Sequence, residues 1–197
     1  MKPLMPIDLS IFKRVPLALV VSWALLMNQN SVANTPSTEQ LVHQHLPKAQ
    51  VIGQGRMTYW GFQLYDAQLY SNRDQEGGFA LSLQYLRKFE AQALAQQTME
   101  ELKKLGVSEA KRQEWSLQIS KAFKTVKEGD TITAIRKSKE VTRLFHNGQP
   151  MSQIQGEELS EAFFGIWLHP KTSAPQLRSS LLGQACPTIH LKAYCHE

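Results

Sequence analysis

Apolar and polar residues follow the period of a strand in one part of the chain and that of a helix in the next. Residues 57–70 are aromatic and β-prone, and Gly61 interrupts them, which predicts a strand with a bulge or a close backbone approach at the glycine. A turn follows over residues 71–78. Residues 79–85 then alternate apolar side chains with small or polar ones, which predicts a second, antiparallel strand with one buried face.

Two amphipathic helices are predicted after these strands. Apolar residues recur at a spacing of about 3.6 over residues 91–105, and Gly106 stands where a glycine ends a helix. Ser108 is typical of the residue that caps the start of a second helix, whose buried face contains Trp115 and Ile119.

Short strands and two further helices complete the pattern. Residues 131–135 and 141–145 favour strands, Asn147-Gly148 predicts a tight hairpin, and Pro150 places the returning strand at an edge of the sheet. A helix is expected over residues 159–167. Residues 173–183 predict a last helix that begins with a capping box and a proline in its first turn and ends at a glycine. We therefore expect an α+β fold, with an antiparallel β-sheet covered on one face by a layer of helices.

The N-terminal 33 residues have the order of a secretory signal peptide. Basic residues, the last of them Arg14, precede an apolar run over residues 15–27, and Ser31-Val32-Ala33 supplies small residues at a cleavage site. The run is short for a membrane span, so an uncleaved anchor is the less favoured alternative. We expect a signal peptide over residues 1–33 and a periplasmic or secreted protein. Proline and polar residues over 34–50 predict a flexible leader, before a single domain over 51–185 and a C-terminal tail over 186–197.

Composition and motifs argue against several classes of function. The net charge of +5 is scattered and forms no basic stripe interleaved with aromatic residues, so nucleic acid is not expected as a partner. No second apolar segment long enough to span a bilayer follows the first, which predicts no stable membrane insertion after cleavage. The chain lacks a phosphate-binding glycine loop and the sequence motifs of serine and zinc hydrolases. No cofactor, metal or catalytic residue is therefore predicted.

The two cysteines, Cys186 and Cys195, lie close together at the C-terminal end. In an oxidising compartment a disulfide between them is the expected outcome. A metal site that adds His190 and His196 is the alternative, but the spacing fits no standard zinc pattern.

Four polar residues of the first strands are candidates for a ligand site: Arg56, Tyr65, Tyr85 and Arg87. A guanidinium matches a carboxylate, and a tyrosine adds a hydroxyl donor together with an apolar ring. This combination suits an anionic head on an apolar body. In the alternative, the tyrosines only pack the sheet and the arginines are solvated.

Several segments, in this order, resemble the chalcone isomerase-like family in its bacterial exported branch. They are Gly53-Gln54-Gly55-Arg56, residues 61–70, Leu83-Gln84-Tyr85-Leu86-Arg87, Gly129-Asp130, Phe145-His146-Asn147-Gly148, residues 162–168 and residues 177–183. The resemblance implies an antiparallel sheet packed against helices, with a ligand cleft between the two layers. Members of the family either close chalcones to flavanones or bind fatty acids without that activity.

The resemblance also bears on individual positions. Arg56 matches the arginine that both kinds of member use to hold a ligand oxygen, and Tyr65 matches the fatty-acid-binding relatives. The isomerase's catalytic tyrosine falls at Leu94, its asparagine at Glu101 and its late hydroxyl at Ile166, or at Gly165 in a register shifted by one. Since the loss of a single oxyanion donor typically costs about 10²–10³ in rate, little isomerase activity is expected.

The leading hypothesis is therefore a non-catalytic protein that binds a small apolar carboxylate, such as a fatty acid, or another amphiphile. Arg56 and Tyr65 would hold its anionic head. Two alternatives stay open: an isomerase, of the intramolecular lyase type, that acts on another enone, and a structural or partner-binding envelope protein with no small ligand.

Overall fold

In the described part of the chain, six strands form one antiparallel sheet in which each strand pairs with its neighbours in the sequence. The computed structural model describes residues 36–72, 78–183 and 191–195. The strands are β1 Gln50–Tyr59, β2 Phe62–Ser71, β3 Phe79–Tyr85, β4 Thr131–Arg136, β5 Val141–His146 and β6 Gln149–Gln155.

Within the described ranges, five α-helices and one short 3₁₀ helix accompany the sheet. They are α1 Thr38–His45, α2 Ala91–Lys104, α3 Glu109–Ser120, α4 Glu157–Leu168, α5 Pro175–Leu182 and the 3₁₀ helix Lys192–Tyr194. The α+β class is confirmed, because the sheet is antiparallel throughout and helices α2 to α5 pack on one face of it as a layer.

The sheet has two faces of different character. Leu69, Leu81 and Leu144 point into the main core with α2 to α5, and we call this the helix face. Their sequence neighbours, among them Tyr70 and Ala80, point the other way, because successive side chains of a strand alternate. On this second, outer face, α1 covers part of the sheet.

Helix α1 corrects the prediction of a flexible leader over 34–50. The Ser37 hydroxyl accepts a hydrogen bond from the backbone N–H of Gln40, and the Gln40 side chain accepts one from the Ser37 backbone, which together make a capping box. Leu41 and Val42 are buried against the outer face. The helix is short, so this packing is what stabilises it.

The region around Gly61 also differs from the prediction of a single bulged strand. Trp60 and Gly61 form a two-residue turn between β1 and β2, with φ angles of 50° and 80°. Positive φ at both positions is typical of the type I′ hairpin turn. A residue other than glycine held in this conformation costs about 1–3 kcal/mol.

Most remaining elements match the predictions. Gly106 follows α2 with φ 90°, and Ser108 caps α3 by accepting a hydrogen bond from the backbone N–H of Lys111. Asn147 and Gly148 form the tight turn between β5 and β6, both with positive φ. Pro150 lies on β6, which is an edge strand of the sheet. An edge strand tolerates proline, which has no backbone N–H to donate.

Two predictions about the C-terminal region need correction. Helix α5 begins after Ala174 and has no side-chain cap, and the Ser173 hydroxyl donates instead to Glu101. The residues after position 185 were expected to form a tail, but Leu191 and Tyr194 are buried in the main core. The predicted signal peptide, most of the 71–78 turn, Cys186 and the histidines at 190 and 196 lie outside the described residues.

Candidate functional site

Arg56 lies on the outer face of the sheet, opposite Asp66 in the pairing of β1 with β2. Its Nε and Nη2 donate to the two carboxylate oxygens of Asp66 at 2.5 and 2.7 Å, and its Nη1 donates to Gln63 at 2.8 Å. The hydrogen bonds from Arg56 hold the pKa of Asp66 below its usual value. The guanidinium charge is thus already balanced by a bidentate partner.

An open groove of about 560 Å³ runs along the outer face beside this ion pair. Most of its lining is polar and comes from α1 and from β1 to β4: Thr38, Gln54, Arg56, Asp66, Gln68, Ser82, Gln84 and Thr131. A lining of this kind suits water or a polar ligand better than a hydrocarbon chain.

Tyr65 and Tyr85 lie on the helix face, directly opposite each other in the pairing of β2 with β3. Their rings meet edge to face at 5.9 Å between centroids. Because Tyr65 is the sequence neighbour of Asp66, its side chain points away from Arg56. The structure therefore brings the two tyrosines together and separates both from Arg56, so the expected joint Arg56–Tyr65 head site is not formed.

Trp167 of α4 supplies a third polar group at the two tyrosines. Its indole Nε1 donates a hydrogen bond to the Tyr65 hydroxyl at 3.0 Å. Its ring packs against Phe163 at 5.4 Å. No sequence motif assigns a role to Trp167, because only the packing of α4 on the sheet brings its side chain close to a residue 102 positions earlier.

Burial further stabilises the protonated form of both phenols. It raises the pKa of Tyr65 to about 12 and raises that of Tyr85 as well. Both hydroxyls are thus protonated at neutral pH and can donate. Within the described ranges the Tyr85 hydroxyl has no hydrogen-bond partner, and the Tyr65 hydroxyl accepts from Trp167 without donating to another group.

Glu101 of α2 lies near this group as a buried, fully engaged carboxylate. It accepts hydrogen bonds from Gln97 at 2.7 Å, Lys104 at 2.8 Å and Ser173 at 2.5 Å. Burial acts to raise the pKa of Glu101, but these hydrogen bonds and the Lys104 charge outweigh it, and the pKa is lowered. Its negative charge contributes to the raised pKa of Tyr65.

Arg87 does not join the two tyrosines. It is exposed after β3, and its guanidinium carbon lies 5.0 Å from the centre of the Phe62 ring, in a cation–π arrangement. Cys195 directly follows the 3₁₀ helix, whereas Cys186 lies outside the described residues, so the disulfide stays a prediction.

Comparison with known proteins agrees with this architecture. No curated protein sequence matches the chain. A crystal structure of an Arabidopsis thaliana fatty-acid binding protein matches with a TM-score of 0.54 and 14% identity, over 71% of this chain and 89% of that one, which supports the fold. Residues 50–183, more than half of the chain, match the chalcone isomerase-like family. The protein therefore belongs to the chalcone isomerase-like family.

Proposed function

We propose that this protein binds an apolar ligand with a small oxygen-bearing head, such as a fatty acid, between the sheet and the helices, and that it is not an isomerase. The observation that carries the proposal is the group of Tyr65, Tyr85 and Trp167, whose polar atoms lie among the apolar side chains of the main core. A few polar groups in an apolar site are typical of sites for small ligands. The likeness to the Arabidopsis fatty-acid binding protein supports the same ligand class.

The tyrosine hydroxyls are the best candidates for holding the head. Each has a proton that no described acceptor takes up, and a carboxylate accepts such protons in charge-assisted hydrogen bonds. Arg56 is not assigned to the head, because it is bound to Asp66 on the other face of the sheet.

The apolar body of the ligand would lie among the aromatic and aliphatic side chains around the tyrosines. Phe89 contacts Tyr85 at 5.7 Å, and Phe163 contacts Trp167. Met57 and Leu94 belong to the same core but are only partly buried. These partly exposed residues offer a route from solvent, so a ligand could enter by displacing side chains at the edge of the core.

Displacement of a fluorescent fatty acid by palmitate from the purified protein tests the proposal. A hydrogen bond to a charged group contributes about 1.5–3 kcal/mol, so Tyr85→Phe should weaken binding about tenfold or more. Arg56→Ala is the control on the opposite face and should leave binding unchanged. Absence of binding by the wild type, or loss of binding in Arg56→Ala with Tyr85→Phe unaffected, contradicts the proposal.

An isomerase acting on an enone is the second candidate, and the protonated phenols favour it. Either hydroxyl could donate to a ketone oxygen and stabilise its developing charge. Leu94 and Ile166, which replace hydroxyl groups of the isomerases, cannot add donors, and Glu101 already accepts three hydrogen bonds. Loss of chalcone absorbance above the spontaneous rate, abolished by Tyr85→Phe, would support this activity.

Export and a disulfide between Cys186 and Cys195 belong to the same proposal. Their support is the charged, apolar and small-residue order of residues 1–33 and the position of both cysteines near the C-terminus. The intact mass of the protein from the periplasmic fraction, measured with and without reductant and thiol alkylation, tests both. Retention of residues 1–33, or alkylation of both cysteines without reductant, argues against them.

A further inference from the structure

The turn between β1 and β2 presents three large aromatic side chains to solvent. Trp60 is 85% exposed, Tyr59 61% and Phe62 60%, and we call these three residues the aromatic tip. Among the described residues, the large aromatic side chains that are exposed all lie in this one turn. Burying them against a partner would remove a substantial apolar area from water.

Trp60 contributes little to the fold that holds it. Its backbone has a φ of 50°, which disfavours any residue except glycine, asparagine and aspartate. Its ring contact is with Tyr59, at 6.2 Å between centroids, and the space around Gly61 is open. A strained residue without a packing role indicates a function for the side chain.

The tip also carries a positive charge that no described carboxylate neutralises. The Arg87 guanidinium lies over the Phe62 ring, and no carboxylate in the described ranges is within salt-bridge distance of Arg87. Nearby cations do have such partners: Arg56 pairs with Asp66, Lys88 with Glu90, and Lys104 with Glu101.

From these observations we propose that the aromatic tip docks on the surface of an anionic lipid bilayer. Trp and Tyr combine an apolar ring with a polar edge and are enriched where a membrane meets water. Arg87 complements the negative surface of such a membrane. A standard protein interface needs about 800 Å² from each partner, more than three side chains on a convex turn provide. Among the described residues, no helix is long and apolar enough to cross a membrane.

The aromatic tip and Arg87 are separate from Tyr65 and Tyr85, so binding to a membrane does not depend on the ligand proposed above. Sedimentation of the purified protein with vesicles tests it. One set of vesicles contains equal parts of phosphatidylcholine and phosphatidylglycerol, and the other contains phosphatidylcholine alone. The variants are Trp60→Asn, Arg87→Gln and, as the control, Leu117→Asn, which alters an exposed leucine on α3.

The wild type should bind the anionic vesicles, and Trp60→Asn should weaken that binding about tenfold or more. Arg87→Gln should weaken it about fivefold on anionic vesicles and have little effect on neutral ones, since one basic residue near the surface contributes about that factor. Leu117→Asn should bind like the wild type. Trp60→Asn should melt no lower than the wild type, because asparagine followed by glycine favours this turn.

Two results would overturn the proposal. The first is that the wild-type protein does not bind vesicles, whether or not it copurifies with another protein through the aromatic tip. The second is a Trp60→Asn variant that binds as the wild type does, or one that binds less because its melting temperature has fallen.

Discussion

Replacing Tyr65 by phenylalanine isolates the hydrogen bond at the centre of the candidate site. The substitution keeps the ring and its contact with Tyr85 but removes the acceptor for the Trp167 indole N–H. Trp167 is 9% exposed, so little water is available to replace that acceptor. A buried donor left without a partner costs about 1–3 kcal/mol.

Because the Tyr65 side chain as a whole is only partly buried, neighbouring groups can adjust to the change, and the lower part of that range applies. We expect Tyr65→Phe to lower the free energy of unfolding by about 1–2 kcal/mol. For a domain of this size the melting temperature should then fall by about 2–8 °C. Urea denaturation followed by circular dichroism gives the first quantity, and calorimetry gives the second.

Tyr85→Phe is the matched control, since Tyr85 faces Tyr65 in the sheet and loses the same atom. Its hydroxyl has no hydrogen-bond partner among the described residues, so we expect a change below about 0.5 kcal/mol. In a Trp167→Phe background, Tyr65→Phe should cost little more, because the bond is already lost. Equal destabilisation by Tyr65→Phe and Tyr85→Phe would refute the assignment of the cost to the indole hydrogen bond.

Two further predictions concern packing and pH. Gly53→Ala should lower the free energy of unfolding in urea by about 3 kcal/mol or more, because a Cβ there would come within 1.9 Å of the Leu181 carbonyl oxygen. Gln54→Ala, on the exposed side of β1, is its control. A loss below about 1 kcal/mol in Gly53→Ala would contradict this close packing. The folded pKa of Glu101 lies below its ordinary value of 4.5, so its contribution is present above that pH and lost as the pH falls through the folded pKa. The difference in stability between the wild type and Glu101→Gln should therefore shrink on acidification below about pH 4.5, and a difference independent of pH would contradict it.

Local signals in the sequence predicted most of the elements in the described part of the chain. Asn147-Gly148 and the glycine after α2 act through their own backbone preferences, which a sequence shows directly. Helix α1 was missed even though Ser37 and Gln40 carry a capping signal, because prolines flank it and only two of its residues are buried. What stabilises it is the outer face of a sheet formed by residues much later in the chain.

The candidate site was predicted only in part for a related reason. Tyr65 and Tyr85 could be selected as aromatic donors on neighbouring strands, and the sheet does place them opposite each other. Trp167 could not be selected, because its hydrogen bond depends on how α4 crosses the sheet. Hydrogen bonds of this kind require the packing of whole elements, which neither period nor motif specifies.

The separation of Arg56 from Tyr65 depends on a single irregularity of the β1–β2 hairpin. Next to the two-residue turn, Tyr59 pairs with Phe62 and Thr58 with Gln63, a register that would bring Arg56 opposite Tyr65 if it continued. The register instead shifts between Met57 and Thr58, so that Arg56 faces Asp66.

A shift of one residue moves a side chain to the other face of a sheet. The irregularity therefore places the guanidinium on the outer face and leaves the tyrosines on the helix face. A bulge of this kind has no strong sequence signal, and yet it decides whether an arginine can reach the same ligand as a tyrosine nine residues away. Arg56, bound to Asp66 on the outer face, therefore lies away from the layer between the sheet and the helices.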